Sequence, residues 1–311
     1  MQQGNSITLS PFKNYYCEAL PCSLGKYCDF EPADENRLSR EDIKTLCDYT
    51  LAQNALAGVK EIFVKLPYYV DIENLFEKYK MLGKIIVPAL QIESILTKAL
   101  AGEKLVIEID NFSDLTDEVL SKIADFVGSQ DLPTILNLGD NLTEVGKVVN
   151  KFKMSPTELA ESYGFLDRQC FVRGVNHVDK DDLLLLKNYD AFIIVMPRDD
   201  ATYGKGFVNG YNLIYHGLSF GFGSGKCYNI DMLGEGRLHC QNTANLLSKG
   251  GLISFHDTLQ ALSCGGGQIE VTFDCDARRE SLLEEKVCLG KPDRELTDKV
   301  KQIAKRLKEK N

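Results

Sequence analysis

The stretch QCFVRGVNHVDKDDLLLLKNYDAFIIVMPRDD, residues 169–200, decides how this chain is built. Its opening, Gln169-Cys-Phe-Val-Arg173, is a short apolar run of the kind a strand covered on both faces requires. Lys180 to Lys187 then reads as a helix, and Asp190-Ala-Phe-Ile-Ile-Val-Met196 is a second apolar run. Strand, helix and strand in about 30 residues make a βαβ unit, which places its two strands in parallel.

The same alternation extends in both directions. Upstream lie the strand-like runs Asn14–Leu20, Glu61–Lys65, Lys84–Ala89, Lys104–Ile109 and Pro133–Asn137; downstream lies Leu218–Phe222. Helical patterns separate them, near Leu38–Leu56, Ile72–Met81, Ile92–Ala101, Leu115–Val127, Leu142–Phe152 and Gly210–His216. Ser39 with Asp42 is a start signal for the first of these. Eight alternating units predict a closed (β/α)8 barrel spanning residues 13–265. An open doubly wound sheet is the alternative, but its Gly-rich phosphate turn after the first strand is missing. Residues 1–12 read as an N-terminal arm. Residues 266–311 read as a strand-like segment, Gln268–Phe273, followed by an amphipathic helix with a basic solvated face.

Composition narrows the class. The 311 residues are 44% hydrophobic and 26% charged, as in a globular protein, with a formal net charge of -9. An acidic surface repels nucleic acid and anionic membranes, so neither is an expected partner. No apolar run is long enough for a signal peptide or a membrane span, and a cytoplasmic location is expected. The 10 cysteines are scattered, which favours reduced thiols. Cys17, Cys22 and Cys28 come closest to a cluster, and they read as buried small hydrophobes more than as metal ligands.

In a barrel of this type the reactive groups sit at the C-terminal strand ends. Those ends read Asn137-Leu-Gly-Asp140, Arg173-Gly-Val-Asn-His177, Met196-Pro-Arg-Asp-Asp200 and Gly221-Phe-Gly-Ser-Gly-Lys226. The run from Asn137 to about Cys264 resembles the cytosine, guanine and S-adenosylhomocysteine deaminase and chlorohydrolase branch of the amidohydrolase superfamily. The pieces that carry the resemblance are the strand-five motif, Thr157-Glu-Leu-Ala-Glu-Ser-Tyr-Gly-Phe-Leu-Asp167 and Asp181-Asp-Leu-Leu-Leu-Leu186. Pro197-Arg198, the Gly-rich strand-eight end and Asp231-Met-Leu-Gly-Glu-Gly-Arg237 complete the series.

The resemblance implies a metal centre of four histidines and an aspartate, with a glutamate that moves the proton. Such a centre lowers the pKa of a metal-bound water at an open coordination position. The residues here depart from it. The histidines are His177, His216, His239 and His256, so the strand-one pair has no counterpart. Asn137 takes the strand-five position, Arg173 the strand-six position and Gly225 the strand-eight position, while Asp140 keeps a carboxylate at the general-base position. No metal and no cofactor are expected. The β-sandwich that accompanies the family barrel is expected to be missing or vestigial.

Each surviving polar residue has two readings. Asp140 is a candidate acid or base, or the cap of the next helix. Arg173 is an anion anchor, or it pairs with Asp140 or Glu108 and fills the vacated metal space. His177 is a candidate catalytic base or a structural hydrogen-bonding group, and Lys226 after Gly223-Ser-Gly225 is a weak anion site. Glu108 and Asn137 join Arg173 and Lys226 as candidate ligand-binding residues. Three functions follow. The first is a metal-free binding or assembly subunit whose partner is a second copy or another protein. The second is an enzyme acting on a small anionic molecule with non-family residues. The third is a metal-dependent deaminase with unusual ligands.

Overall fold

The computed structural model describes residues 5–91, 104–263, 269–273 and 287–309. Among the described residues ten strands run in chain order: β1 (Asn5–Leu9), β2 (Phe12–Glu18), β3 (Val59–Lys65), β4 (Leu82–Pro88), β5 (Leu105–Ile109), β6 (Thr134–Asn137), β7 (Cys170–Arg173), β8 (Phe192–Val195), β9 (Phe220–Phe222) and β10 (Ile269–Phe273). Strands β2 to β9 form one eight-stranded sheet in sequence order. The β4–β5, β5–β6, β6–β7 and β7–β8 pairs are parallel, as is β2–β3. A parallel bridge between Cys17 and Gly225 joins β2 to the segment after β9, so the sheet is a nearly closed (β/α)8 barrel. The helix expected near Ile92–Ala101 lies outside the described residues.

The chain divides into two compact units. The first comprises Met1–Gly83, Phe222–Leu238 and Ser254–Asn311. Within it the expected N-terminal arm contains a strand, because β1 pairs antiparallel with β10, Asn5 opposite Phe273 and Leu9 opposite Ile269. The helix Arg40–Leu56 starts at Ser39, whose side chain accepts from the Asp42 amide while Asp42 reaches back to the Ser39 amide. That capping box satisfies two of the four amides a helix start leaves without partners. The terminal helix Arg294–Lys308 buries Leu296, Val300, Ile303, Ala304 and Leu307. It packs against Arg40–Leu56, with an Arg306–Asp42 ion pair at the contact.

The second unit comprises Lys84–Gly221 and His239–Ile253. All five residues of β5 are buried, as are Cys170 to Arg173 of β7, which is the pattern of strands covered on both faces. The intervening helices start where short polar side chains accept backbone amides: Thr116 for Asp117–Gln130, Asn141 for Leu142–Phe152, Ser155 for Pro156–Ser162 and Asp179 for Lys180–Asn188. These caps fix where each helix leaves its loop, and so fix which residues stand at the strand ends.

Candidate functional site

Strands β5, β6 and β7 end in register. Glu108 pairs with Ile135, and Asn137 with Arg173, so Glu108, Asn137 and Arg173 come from three adjacent strand ends. Side chains two apart on a strand share a face, which brings Asp110 to the side of Glu108. The Arg173 guanidinium is 4% exposed and donates through Nε to Glu108 Oε1 at 3.1 Å. Its Nη2 donates to Asp110 Oδ1, and its Nη1 lies 3.5 Å from Asp140 Oδ2. Asn137 Nδ2 donates to the same Asp110 oxygen at 3.3 Å.

A second cation joins from the end of β8. Pro197 opens a short helix, Pro197–Tyr203, whose first turn carries the buried pair Asp199 and Asp200. Lys205 follows it and places Nζ 3.0 Å from Asp199 Oδ2 and 3.2 Å from Asp140 Oδ2. Burial opposes charge on Lys205, but Asp199 and Asp140 outweigh it and hold the ammonium above its ordinary pKa. Burial also pushes the Asp200 carboxyl up to about 7, against the lowering effects of Asn176 and Lys205. The cluster thus contains one carboxyl that keeps its proton close to neutrality, beside others tied to cations.

Arg173 makes both of the ion pairs expected of it, with Glu108 and with Asp140. Asp140 does not cap the following helix. Asn141 does, its side chain accepting from the Thr143 amide, and Asp140 is turned instead toward Arg173 and Lys205. Gly174 makes this turn possible. It sits at φ +69, and a Cβ there would overlap the Asn137 carboxamide oxygen.

Of the other sequence-derived candidates, His177 donates its backbone N–H to the Gly139 carbonyl at 3.1 Å. It borders a cavity of about 410 Å³ with Asn209, Asn212, Phe207 and Leu246. Lys226 belongs to the first unit, where its charge and that of Lys65 partly offset the burial that raises Glu35. Asp110, Asp199, Asp200 and Lys205 were not among the candidates. The alternation Glu108-x-Asp110 was the available signal for the first of them.

No protein-family model matches the sequence. A segment of 137 residues, 44% of this chain, is 25% identical to a 5-methylthioadenosine/S-adenosylhomocysteine deaminase of Saccharophagus degradans, covering 30% of that protein's length. A zinc-bound adenosine deaminase from Xanthomonas campestris superposes over 98% of this chain and 86% of its own, with a TM-score of 0.80 and 10% identity. A guanine deaminase from C. acetobutylicum superposes over 97% and 83%, with a TM-score of 0.73 and 13% identity. The fold is the amidohydrolase barrel. A triazine hydrolase from Arthrobacter aurescens shares it over 83% of this chain and 69% of its own, at a TM-score of 0.66 and 12% identity.

The amidohydrolase metal centre asks for imidazoles and a carboxylate around a divalent ion. In this chain β6 ends in a carboxamide and β7 in a guanidinium that occupies acceptor oxygens of Glu108, Asp110 and Asp140. A fixed cation at that point repels a second one, and an amide oxygen is a weak ligand beside an imidazole. These residues do not fit the centre. Among the described residues no group of three or more His, Cys, Asp or Glu side chains is placed to hold a metal ion. No described helix is long and apolar enough to cross a membrane.

Proposed function

We propose that this chain is an amidohydrolase-like barrel that has exchanged metal-dependent hydrolysis for a role as a binding or assembly subunit. The observation that carries the reading is the Arg173 guanidinium, buried at the end of β7 and ion-paired to Glu108, Asp110 and Asp140. A cation there supplies from the protein the positive charge that a metal supplies in the resembling enzymes, but it has no open coordination position and activates no water. The enclosed Glu108 carboxylate then has a positive partner without a metal.

The test has two parts. Elemental analysis of protein purified without chelators, before and after incubation with zinc and iron, is expected to find far less than one ion per chain. Ammonia release from adenosine, guanine and S-adenosylhomocysteine, the compounds for which the relatives are named, is expected to match the buffer control. Near-stoichiometric metal together with deamination would overturn the reading. Size-exclusion chromatography addresses assembly, and a lone monomer that captures nothing in a pull-down counts against that role.

A second reading is favoured by Asp200. A buried carboxyl that titrates near 7 beside Lys205 and Asp199 is suited to general acid–base work without metal, on a small anionic molecule. Turnover of any such substrate by wild type, lost in Asp200→Asn with folding intact, would favour this reading over the first.

A further inference from the structure

Beneath the point where β2 meets the segment after β9, two thiols touch. Cys17 Sγ and Cys22 Sγ lie 3.4 Å apart, and both side chains are fully buried. Cys17 is next to last in β2, and Cys22 lies in the six-residue helix Ala19–Leu24 that follows directly. Gly225 sits against both. Its N–H donates to the Tyr16 carbonyl at 3.0 Å, its carbonyl accepts from the Glu18 amide at 2.9 Å, and that same oxygen lies 3.3 Å from Cys22 Sγ. Cys22 Sγ is also 3.2 Å from the Cys227 carbonyl.

The two sulfurs are not equivalent. The contact with Cys22, with hydrogen bonding to Ser224 and from Asn54 Nδ2 at 3.8 Å, lowers the pKa of Cys17 in spite of burial. Burial raises Cys22, and the Cys17 contact adds to it. An ordinary buried cysteine is inert because nothing stabilises its thiolate and no second sulfur is within reach. Neither condition holds here.

We propose that Cys17 and Cys22 form an oxidisable dithiol that closes to an intrachain disulfide with a small peroxide as the oxidant. The Cys17 thiolate attacks one peroxide oxygen of hydrogen peroxide, breaks the O–O bond and becomes a sulfenic acid, releasing hydroxide. Cys22 then attacks the Cys17 sulfur, loses its proton, forms the S–S bond and expels the hydroxyl as water. Overall two thiols and one peroxide give one disulfide and two waters, the sulfurs losing two electrons and the peroxide gaining them. The bond pins the end of β2 to the helix that follows it, at the strand-closing contact with Gly225. This chemistry requires nothing of Arg173 or its carboxylates, and holds whether or not the barrel hydrolyses a substrate.

Trypsin cleavage after Lys13 and Lys26 leaves both cysteines in one peptide, Asn14–Lys26, with no other cysteine in it. The native full-length chain is treated with hydrogen peroxide, quenched, denatured, alkylated and digested. The expected result is a peptide two hydrogens lighter that carries no label, and that takes two labels after reduction. Cys288 is exposed and serves as the control for oxidant delivery. Two labels persisting on Asn14–Lys26 when Cys288 is fully oxidised would overturn the proposal. So would a bridge from that peptide to the Cys227 peptide, or Cys17 passing straight to sulfinic acid. In Cys22→Ser the Cys17 sulfenic acid has no resolving thiol and is expected to accumulate and react with a 1,3-dicarbonyl trap.

Discussion

Replacing Arg173 by Met isolates the energetic role of the ion-pair cluster. Glu108 is 0% exposed at its side chain and 3.1 Å from Arg173 Nε, so the substitution takes the guanidinium away from a carboxylate that water does not reach. Breaking a buried pair in this way costs roughly 3–5 kcal/mol, a large share of the about 5–15 kcal/mol that keeps a domain folded. Asp110 is 52% exposed and rehydrates, so it adds little. The double variant Glu108→Met, Arg173→Met removes both charges, keeps the volume and is expected to return to within about 1–2 kcal/mol of wild type. The assay is urea unfolding of the four members of the cycle, followed by far-UV circular dichroism because the chain has no tryptophan. A loss below about 1 kcal/mol in Arg173→Met, or a double variant as unstable as the sum of the singles, would refute the claim that the pair is buried and mutually dependent.

Three further outcomes are expected. Asp200 holds its proton to about 7 when folded against an ordinary 3.8, so the folded state binds more protons across that window and stability falls as pH rises through it. At about 1.4 kcal/mol per pKa unit the whole drop is up to ~4 kcal/mol, and Asp200→Asn should flatten the curve of unfolding midpoint against pH between pH 5 and 8. His239 behaves oppositely. Burial lowers it to about 4, so the unfolded chain takes up its proton first, and stability is lost as pH falls below about 6.5 toward 4. His239→Gln should remove that acid-side slope of about 3 kcal/mol, read from the same unfolding curves at pH 4.5 and 7. Gly174→Ala should destabilise by about 1–3 kcal/mol in thermal or urea melts, since the residue sits at φ +69 and a Cβ overlaps Asn137. The matched control is Gly146→Ala, at a position where an added Cβ meets nothing within 4 Å.

Much of the barrel was legible in the sequence because its strands are short apolar runs between helix-start signals. Ser39 with Asp42 stands where its helix begins, whereas the helix after β6 is capped by Asn141 and not by Asp140. Boundaries moved where turn chemistry was missed. Met196-Pro-Arg-Asp-Asp200 read as a strand end, yet Pro197 occupies the first position of a helix, where its missing N–H costs nothing. The short helix Ala19–Leu24 was absorbed into the strand before it because Ala19 and Leu20 are apolar and no polar side chain caps it. The Arg173 pairing was visible as one of two alternatives, since opposite charges stood at adjacent strand ends. Lys205, Asp199 and Asp200 were not visible as partners. Their approach to Asp140 depends on the turn after β8, where Gly204 adopts φ +65 and sends the chain back, and no spacing in the sequence encodes that reversal.

The buried guanidinium also bears on how the strands find their places. Side chains alternate faces along a strand, so sliding β7 by one residue against β6 sends Arg173 to the opposite face and brings Val172 opposite Asn137. Glu108 is then enclosed without its cation, whereas an all-apolar trio of strand ends would tolerate the slip with little loss. Hydrophobic runs such as Ile135-Leu136 and Phe171-Val172 are nearly interchangeable from one register to the next. The charged residues at their ends are not, and they make a single alignment of β5, β6 and β7 much lower in energy than its neighbours.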